Sequence, residues 1–235
     1  KITWEIINFF YKVFYRFKFE KNLIEIEKKK FLLSQKEQKM QTVFKDLKVL
    51  NGPFKGMIYP DFIAHGSSLY PKLLGSYESE LYEDIEKLLK NNYDTILDIG
   101  CAEGYYAVGF AMRKPEATVF AYDLNKTALL ACKQMAILNH VEKNMKFGEF
   151  CSAETLRDFP FKGREAVANL TNCDILIELH DLYNEKISVE IENVFKDTHT
   201  IKKVYSKSTF KKMREFELAS NFTDDDINCF MLERN

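Results

Sequence analysis

The sequence predicts an α/β fold in which a largely parallel sheet has helices on both faces. Three observations predict it. After Gly75, short apolar runs of strand length alternate with segments of helical periodicity. The first run leads directly into a turn of small residues, and the second ends in an aspartate. Strands separated by helix-length connections pair in parallel, and a parallel sheet is normally covered on both faces.

An N-terminal helical extension is predicted over residues 1–48. Residues 1–19 mix aromatic and aliphatic side chains with basic ones, and helical spacing places five apolar residues on one face: Ile6, Phe10, Val13, Phe14 and Phe17. Two interpretations of this face stay open. One is packing on the chain's own domain or on a second copy in a homodimer, and the other is peripheral contact with an anionic membrane. The charge-rich remainder to residue 48 is predicted to be a helix or a helical linker.

A β-hairpin and cap segment is predicted over residues 49–75. Two short apolar runs flank Asn51 and Gly52. This dipeptide readily supplies the positive φ angles of a tight two-residue turn. We therefore expect a small antiparallel hairpin that caps the main domain.

The main domain is predicted over residues 76–235. Predicted helices cover Tyr77–Lys90, Tyr105–Arg113, Lys126–Asn139, Ser152–Phe159 and Ser188–Phe195, and predicted strands begin at Thr95, Thr118, Met145, Asp174, Thr200 and Ile227. No convincing strand precedes Asp174 after the Met145 run, and the join at Arg164 and Glu165 is abrupt. Our hypothesis is that a segment is missing from the sequence at this join.

Composition narrows the class of protein. Lys and Arg total 34 against 35 Asp and Glu, for a net charge of -1, so no global positive field favours nucleic acid as a partner. The five cysteines are odd in number and include no C-x-x-C pair, which favours a reducing compartment. With no run of 18 uncharged apolar residues and no signal-peptide pattern, the expected location is the cytoplasm, either free or peripheral to the inner face of a membrane.

The segment from Leu97 to Tyr106, L-D-I-G-C-A-E-G-Y-Y, carries the strongest functional signal. Small residues at Gly100, Ala102 and Gly104 let the backbone approach a ligand, and we expect exposed backbone amides in this turn. Asp123 follows nineteen residues after Gly104, where a carboxylate accepts the hydroxyls of a ribose in Rossmann-like folds. Asp98 is expected either to hold loop amides or to meet the ammonium group of a ligand.

These residues resemble a known family. D-I-G-C-A-E-G is similar to motif I of the class I S-adenosylmethionine-dependent methyltransferases, with Ala102 where the usual motif has its middle glycine, and F-A-Y-D-L-N is similar to their ribose-binding motif. N-G-P-F-K-G-M-I-Y and P-K-L-L-G-S-Y-E-S-E-L resemble the FkbM-like branch. The resemblance covers Asn51 to Asp181. It implies a Rossmann-like methyltransferase sheet, S-adenosylmethionine as cofactor, and O-methylation of a carbohydrate, a polysaccharide or another small hydroxylated acceptor.

The resemblance also implies roles for individual residues. Gly100, Cys101 and Ala102 would line the methionyl part of the cofactor, Asp123 would bind the ribose, Leu124 would flank the adenine, Glu149 would meet the adenine edge, and Tyr77 and Glu78 would close over the methionyl end. Plainer roles remain open for three of them. Tyr77 suits a core position, Leu124 suits helix packing, and Glu149 suits a solvated loop.

Candidate catalytic residues lie in I-E-L-H-D, at the end of the predicted Asp174 strand: Glu178, His180 and Asp181. Methyl transfer to a hydroxyl usually needs a base, and a histidine titrates in the right range. A divalent metal held by His and carboxylates could also activate the acceptor hydroxyl, although no further ligand pattern in the sequence supports a metal. The plain alternative is that Asp181 caps the next segment and His180 is a loop residue.

Three rival functions follow from the same residues. A dinucleotide fold favours G-x-G-x-x-G, but a tyrosine stands at the position of its third glycine. A binding or assembly protein would keep the nucleotide fold without turnover. Methylation of RNA or protein would use a local basic patch, for which the candidates are Lys202, Lys203, Lys207, Lys211 and Lys212.

Overall fold

The structure is a computed structural model that describes residues 4–152, 155, 173–179 and 186–233, with side chains from residue 21 onward. It divides the chain into two compact units, Lys1–Lys45 and Asp46–Asn235.

The first unit contains one long helix, α1, over Trp4–Val43. No glycine or proline interrupts this stretch, so the two predicted helical pieces run on as one. Its described part leaves large apolar side chains such as Ile24 and Phe31 more than half exposed. The apolar face predicted between Ile6 and Phe17 lies on side chains outside the described set. Among the described residues, none of the helices combines the length and apolar character needed to cross a bilayer.

The cap segment of the second unit reverses direction without forming two strands. A single antiparallel bridge joins Lys48 and Ile58, and hydrogen bonds of 2.8 Å run from Val49 N–H to the Met57 carbonyl and from Gly56 N–H to the Val49 carbonyl. The reversal is therefore wider than the predicted two-residue turn, although Gly52 does adopt a positive φ of 78°. Helix α2 follows over Leu69–Leu74.

A three-stranded parallel sheet forms the centre of the second unit. Its strands are β1 (Thr95–Ile99), β2 (Thr118–Tyr122) and β3 (Met145–Gly148), in the spatial order β1-β2-β3, connected by helices α4 (Tyr105–Arg113) and α5 (Lys126–Leu138). These strands and helices lie where the sequence predicts them. The predicted helix at Tyr77 is shorter: a 3₁₀ turn covers Ser79–Leu81 and α3 covers Tyr82–Leu88.

The register of the sheet brings the ends of its strands together. Ile99 pairs with Tyr122, and Tyr122 with Gly148. Because parallel strands share one carboxyl edge, the turn after β1 and the residue after β2 meet at this edge. The cap segment packs against α4 at Gly109. This glycine leaves room for the Phe54 ring, because an added Cβ would lie 2.5 Å from it.

Three predicted strands are wrong in the described residues. The chain from Asp174 to Leu179 is irregular and exposed, and so is the chain from Thr200 to Tyr205. An apolar run forms a strand only where a neighbouring strand satisfies its backbone, and no pairing with β1–β3 forms at either place in the described chain. The third run, Ile227–Met231, is π-helical.

The C-terminal part of the described chain is helical. Helix α6 covers Ile187–Phe195, close to the predicted Ser188 start, α7 covers Thr209–Met213, a 3₁₀ turn covers Glu217–Asn221, and α8 covers Asp224–Asp226. A capping box between Thr223 and Asp226 starts α8 and leads into the π-helical turn. The predicted helix at Ser152–Phe159 falls mostly outside the described residues, and the join at Arg164 and Glu165 falls wholly outside them.

Candidate functional site

The turn after β1 is built on left-handed backbone. Gly100, Ala102 and Gly104 have φ angles of 86°, 48° and 101°. The two glycines serve different purposes. A Cβ on Gly104 would lie 2.6 Å from the Cys132 sulfur, whereas a Cβ on Gly100 would have nothing within 4 Å. Gly104 therefore allows α4 and α5 to approach, while Gly100 faces open space at the carboxyl edge of the sheet, which we call the crevice.

The prediction of exposed amides is wrong for four residues of this turn. The N–H groups of Gly100 and Cys101 both donate to the Tyr122 carbonyl, at 2.8 and 3.0 Å. The Ala102 N–H donates to Asp123 Oδ2 at 2.8 Å, and the Gly104 N–H donates to the Cys101 carbonyl at 2.8 Å. These donors are hydrogen-bonded within the protein because the left-handed residues of the turn direct the backbone toward β2.

The Asp123 side chain is held in place by two backbone amides. Its Oδ2 accepts from the Ala102 N–H, and its Oδ1 accepts from the Asn125 N–H at 2.7 Å. Each carboxylate oxygen has a second lone pair, and the residue stays partly exposed. Asp123 is therefore held rigidly and can still accept two further hydrogen bonds, which suits the two hydroxyls of a ribose.

Asp98 lies on β1 with its carboxylate removed from solvent. Burial raises its pKa to about 6, the Ala107 N–H opposes that rise by donating to the carboxylate, and the charge of Asp123 adds to the rise. Its Oδ2 atom is buried and has no hydrogen-bond partner among the described residues. Asp98 thus supports the first turn of α4 and also keeps one acceptor that a positively charged donor can satisfy.

The chemistry of this crevice favours a cation over an anion. A dinucleotide needs free amides to bind its pyrophosphate, but the amides of Gly100, Cys101, Ala102 and Gly104 already have acceptors within the protein. What remains is two carboxylates, Asp98 on β1 and Asp123 directly after the neighbouring strand β2. This arrangement suits a ligand that carries both a positive charge and a ribose diol, as S-adenosylmethionine does.

The other residues named for the cofactor lie at different depths. Leu124 is 75% exposed beside Asp123, so it is free to flank a flat ring rather than serving helix packing. Glu149 is exposed and forms an ion pair with Lys126 at 2.9 Å. The Cys101 side chain is buried against Cys132, and their hydrogen bond together with burial raises the pKa of Cys101 well above its usual range.

Tyr77 and Glu78 lie in a loop beside α4. Tyr77 is buried, and its ring packs edge-on against Tyr105 at 5.3 Å between centroids. The Tyr106 hydroxyl donates to the Glu78 carboxylate. Glu78 itself has a φ of 48°, which is unusual for a residue other than glycine. The loop is thus fastened to the first turn of α4, directly after the motif I turn.

A buried cluster around Glu103 is a feature that the sequence reasoning missed. Glu103 is 1% exposed, and Lys72 donates to its Oε1 while the His65 N–H donates to its Oε2 at 2.9 Å. The Tyr59 hydroxyl lies 3.4 Å from Oε1. Burial lowers the pKa of Lys72, and the charge of Glu103 counters this. A lysine inside the apolar helix L-Y-P-K-L-L was the available signal for a buried partner.

The predicted catalytic group is only partly described. His180 and Asp181 lie outside the described residues. Glu178 is exposed in an irregular segment and not at the end of a strand as predicted. In the described part of the chain, no group of three or more His, Cys, Asp or Glu side chains is placed to hold a metal ion.

Most of the candidate basic patch is neutralised locally. Lys202 pairs with Asp84 at 2.6 Å, Lys203 with Glu192 at 2.7 Å, and Lys207 with Glu215 at 3.8 Å. Lys212 is buried between two glutamates. A lysine paired with a carboxylate attracts a phosphate backbone only weakly, because the neighbouring negative charge offsets its own.

Comparison with known proteins agrees with the chemistry of the crevice. Residues 81–161 match the family model described as methyltransferase small domain. This span is about a third of the chain and contains the turn after β1 together with Asp98 and Asp123. A search of curated proteins gave no match. The family match supports a class I S-adenosylmethionine-dependent methyltransferase, with S-adenosylmethionine as the implied cofactor.

Proposed function

We propose that the protein methylates a hydroxyl group on a carbohydrate, a polysaccharide or another small acceptor, as a member of the FkbM-like branch. The single observation that carries the cofactor half of this proposal is that the carboxylates of Asp98 and Asp123 lie at the two strand ends beside the turn and keep acceptor capacity. The acceptor half is supported by the resemblance of N-G-P-F-K-G-M-I-Y and P-K-L-L-G-S-Y-E-S-E-L to that branch.

Each crevice residue has a task that its geometry suits. Asp123 binds the ribose hydroxyls with its remaining lone pairs, and Leu124 covers one side of the adenine. Asp98 meets the ammonium group of the methionyl part, which satisfies its unpartnered Oδ2. Gly100 leaves room for the ligand because it has no side chain. When bound, S-adenosylmethionine supplies an electrophilic methyl group on its sulfonium.

The acceptor hydroxyl needs a base and an in-line position. His180 is our first candidate for the base because its ordinary pKa lies near neutrality, with Asp181 and Glu178 as further candidates. A base in this position takes the hydroxyl proton as the oxygen attacks, so its removal should lower turnover while leaving cofactor affinity intact.

Replacement of Asp123 tests the proposal. In isothermal titration calorimetry, Asp123→Ala should weaken S-adenosylmethionine binding by about 10- to 100-fold, because the variant loses two charge-assisted hydrogen bonds. The matched control is Glu142→Ala, which removes an exposed carboxylate just before β3, at the opposite edge of the sheet, and should leave affinity unchanged. Release of S-adenosylhomocysteine in the presence of a panel of sugars then identifies the acceptor. Equal affinity of wild type and Asp123→Ala would overturn the cofactor assignment.

A binding or assembly protein without turnover is the second candidate. The observation that favours it is the exposed, irregular segment that carries Glu178, because a catalytic carboxylate needs packed neighbours that hold it in a fixed position. Binding of S-adenosylmethionine with no release of S-adenosylhomocysteine for every acceptor would select this candidate. Methylation of RNA or protein is disfavoured by the ion-paired lysines described above.

The partner of the apolar face in residues 1–19 remains a prediction, with two alternatives. The apolar face there would lie either in a homodimer interface or on the inner face of a membrane. Light scattering of the purified protein with and without anionic vesicles separates the two, because a homodimer persists without lipid.

A further inference from the structure

The loop Ser76–Glu80, which we call the clamp loop, is held on one side by α4. The Tyr106 hydroxyl donates to the Glu78 carboxylate. Tyr77 packs edge-on against Tyr105. Both tyrosines follow directly after the turn that lines the crevice, so the clamp loop is fastened to the helix that begins at the crevice.

The other side of the clamp loop is held by the C-terminal end of the described chain. The Glu78 N–H donates to Glu233 Oε1 at 3.0 Å. The carbonyl of the same Glu233 accepts from the Ser68 N–H at 3.2 Å, next to the start of α2. One residue near the C-terminus thus connects the clamp loop with the helix that precedes it, across 155 residues of sequence.

Lys212 fixes Glu233 in this position. Its ammonium lies 2.7 and 2.8 Å from the two Glu233 oxygens and 2.6 Å from Glu80 Oε2. The Lys212 side chain is 2% exposed. A buried ammonium needs close partners, so Lys212 binds the C-terminal segment and the clamp loop to each other.

The backbone of the clamp loop needs this support. Glu78 has φ 48° and ψ 39°, in the left-handed region. That conformation is strained for a residue with a Cβ, and it persists only where surrounding contacts hold it. The Glu233 carboxylate accepts from the N–H of this strained residue, so loss of Glu233 removes a contact that holds it.

We infer that Glu233 is a positioning residue for the methionyl end of the cofactor, acting through Glu78, with Lys212 as its electrostatic support. This inference rests on the proposed function. It assigns to the segment from Thr209 to Glu233 the role of a latch that keeps the clamp loop against α4 and so sets the shape of the methionyl side of the crevice. The adenosine side, around Asp123, is outside its influence.

Two ligands that differ only at the methionyl end test the inference. S-adenosylhomocysteine carries the amino-acid group, whereas 5′-methylthioadenosine has the same adenosine and sulfur without it. In Glu233→Ala, the Kd for S-adenosylhomocysteine should rise about tenfold, and the Kd for 5′-methylthioadenosine should change by less than about twofold. A merely structural role would weaken both ligands equally.

Two further variants sharpen the result. Glu233→Gln keeps an acceptor for the Glu78 N–H but loses the charge that faces Lys212, so its loss of affinity should be smaller than that of Glu233→Ala. Glu215→Ala removes an exposed carboxylate of the same segment and should leave both ligands unchanged. If Glu233→Ala binds S-adenosylhomocysteine like the wild type, the inference fails while the proposed function stands. If the wild type binds neither ligand, the proposed function fails first.

Hydrogen exchange of the wild type covers the case in which Glu233→Ala does not fold. Saturation with S-adenosylhomocysteine should slow amide exchange in peptides that contain the clamp loop and also in peptides that contain residues 226–233. Saturation with 5′-methylthioadenosine should slow exchange in neither. Protection of the clamp loop without protection of residues 226–233 would overturn the coupling.

Discussion

The two sides of the motif I turn differ in how completely their buried charges are matched. On the side that faces α2, Glu103 receives donors from Lys72, His65 and Tyr59 on its two oxygens. On the side that faces the crevice, Asp98 keeps a buried oxygen with no partner in the described part of the chain. Asp98 and Glu103 are five positions apart in the sequence, yet Glu103 belongs to a closed network and Asp98 does not.

This difference between the two carboxylates implies that one contributes to the stability of the fold and the other to ligand binding. A buried charge with all its partners holds elements together, and removal of one partner is strongly destabilising. A buried charge that lacks a partner lowers the stability of the free protein, and a ligand that supplies the partner recovers that energy as affinity. Under the proposed function, the turn anchors the fold on the Glu103 side and binds the cofactor on the Asp98 side. Substitutions on the two sides should have opposite effects on the free protein.

The largest effect is expected from Lys72→Met. It leaves the Glu103 charge buried without its ammonium, so the free energy of unfolding should fall by about 3–5 kcal/mol in urea denaturation. The double variant Lys72→Met, Glu103→Leu should recover most of this loss, because no charge is then stranded. The matched control is Lys87→Met, which breaks an exposed pair with Glu83 and should not change stability measurably. Wild-type stability in the single variant would show that the closed network is not what holds this side.

The two glycines of the turn sharpen the same comparison. Gly104→Ala places a Cβ 2.6 Å from the Cys132 sulfur at a φ of 101°, and should lower the free energy of unfolding by about 2–4 kcal/mol. Gly100→Ala meets open space, so only the strain of its positive φ remains, about 1 kcal/mol. Its main effect should be weaker binding of S-adenosylmethionine, because the new methyl group projects into the crevice. Thermal unfolding and calorimetry on both variants check the pair, and equal losses of stability would contradict the assignment.

Sequence reasoning predicted residues on the crevice side of the turn but none on the side of Glu103. Gly100, Gly104 and Asp123 are readable because a strand, a small-residue turn and a second strand follow each other locally. The partners of Glu103 are 31 to 44 residues away, and the contact between Glu78 and Glu233 spans 155. No local pattern encodes such contacts, although a lysine within an apolar helix signals that one exists.

The C-terminal errors have a related cause. An apolar run cannot by itself distinguish a strand from a buried helical turn, and I-N-C-F-M-L was predicted as a strand on that basis. The capping box at Thr223 and Asp226 was the local signal for a helix start. For the runs at Asp174 and Thr200, the outcome depends on whether a neighbouring strand is in place, which is a property of the sheet and not of the run.

Asp98→Asn should have the opposite effect to Lys72→Met on the free protein. The amide keeps an acceptor for the Ala107 N–H but removes a carboxylate whose pKa burial raises to about 6. We expect the free energy of unfolding to increase by about 1–2 kcal/mol at pH 7.5, since a pKa raised by two units corresponds to roughly that penalty after allowance for relaxation. Affinity for S-adenosylmethionine should fall in the same variant. A variant that loses stability as well as affinity would indicate that Asp98 is mainly a support for the turn.

The smallest expected effect is a pH dependence of cofactor binding. The pKa of Asp98 in the free protein lies above that of an ordinary aspartate, so a proton occupies the carboxylate below about pH 6 and must leave before the ammonium group of the ligand can bind. Affinity should therefore rise about fourfold from pH 5.5 to pH 7. Burial also raises the pKa of Glu233, against the opposing effect of Lys212, and its protonation would act in the same direction through the clamp loop. Calorimetry of Asp98→Asn separates the two sources: any slope that survives belongs to Glu233, and a slope equal to that of the wild type would remove Asp98 from contact with the ligand.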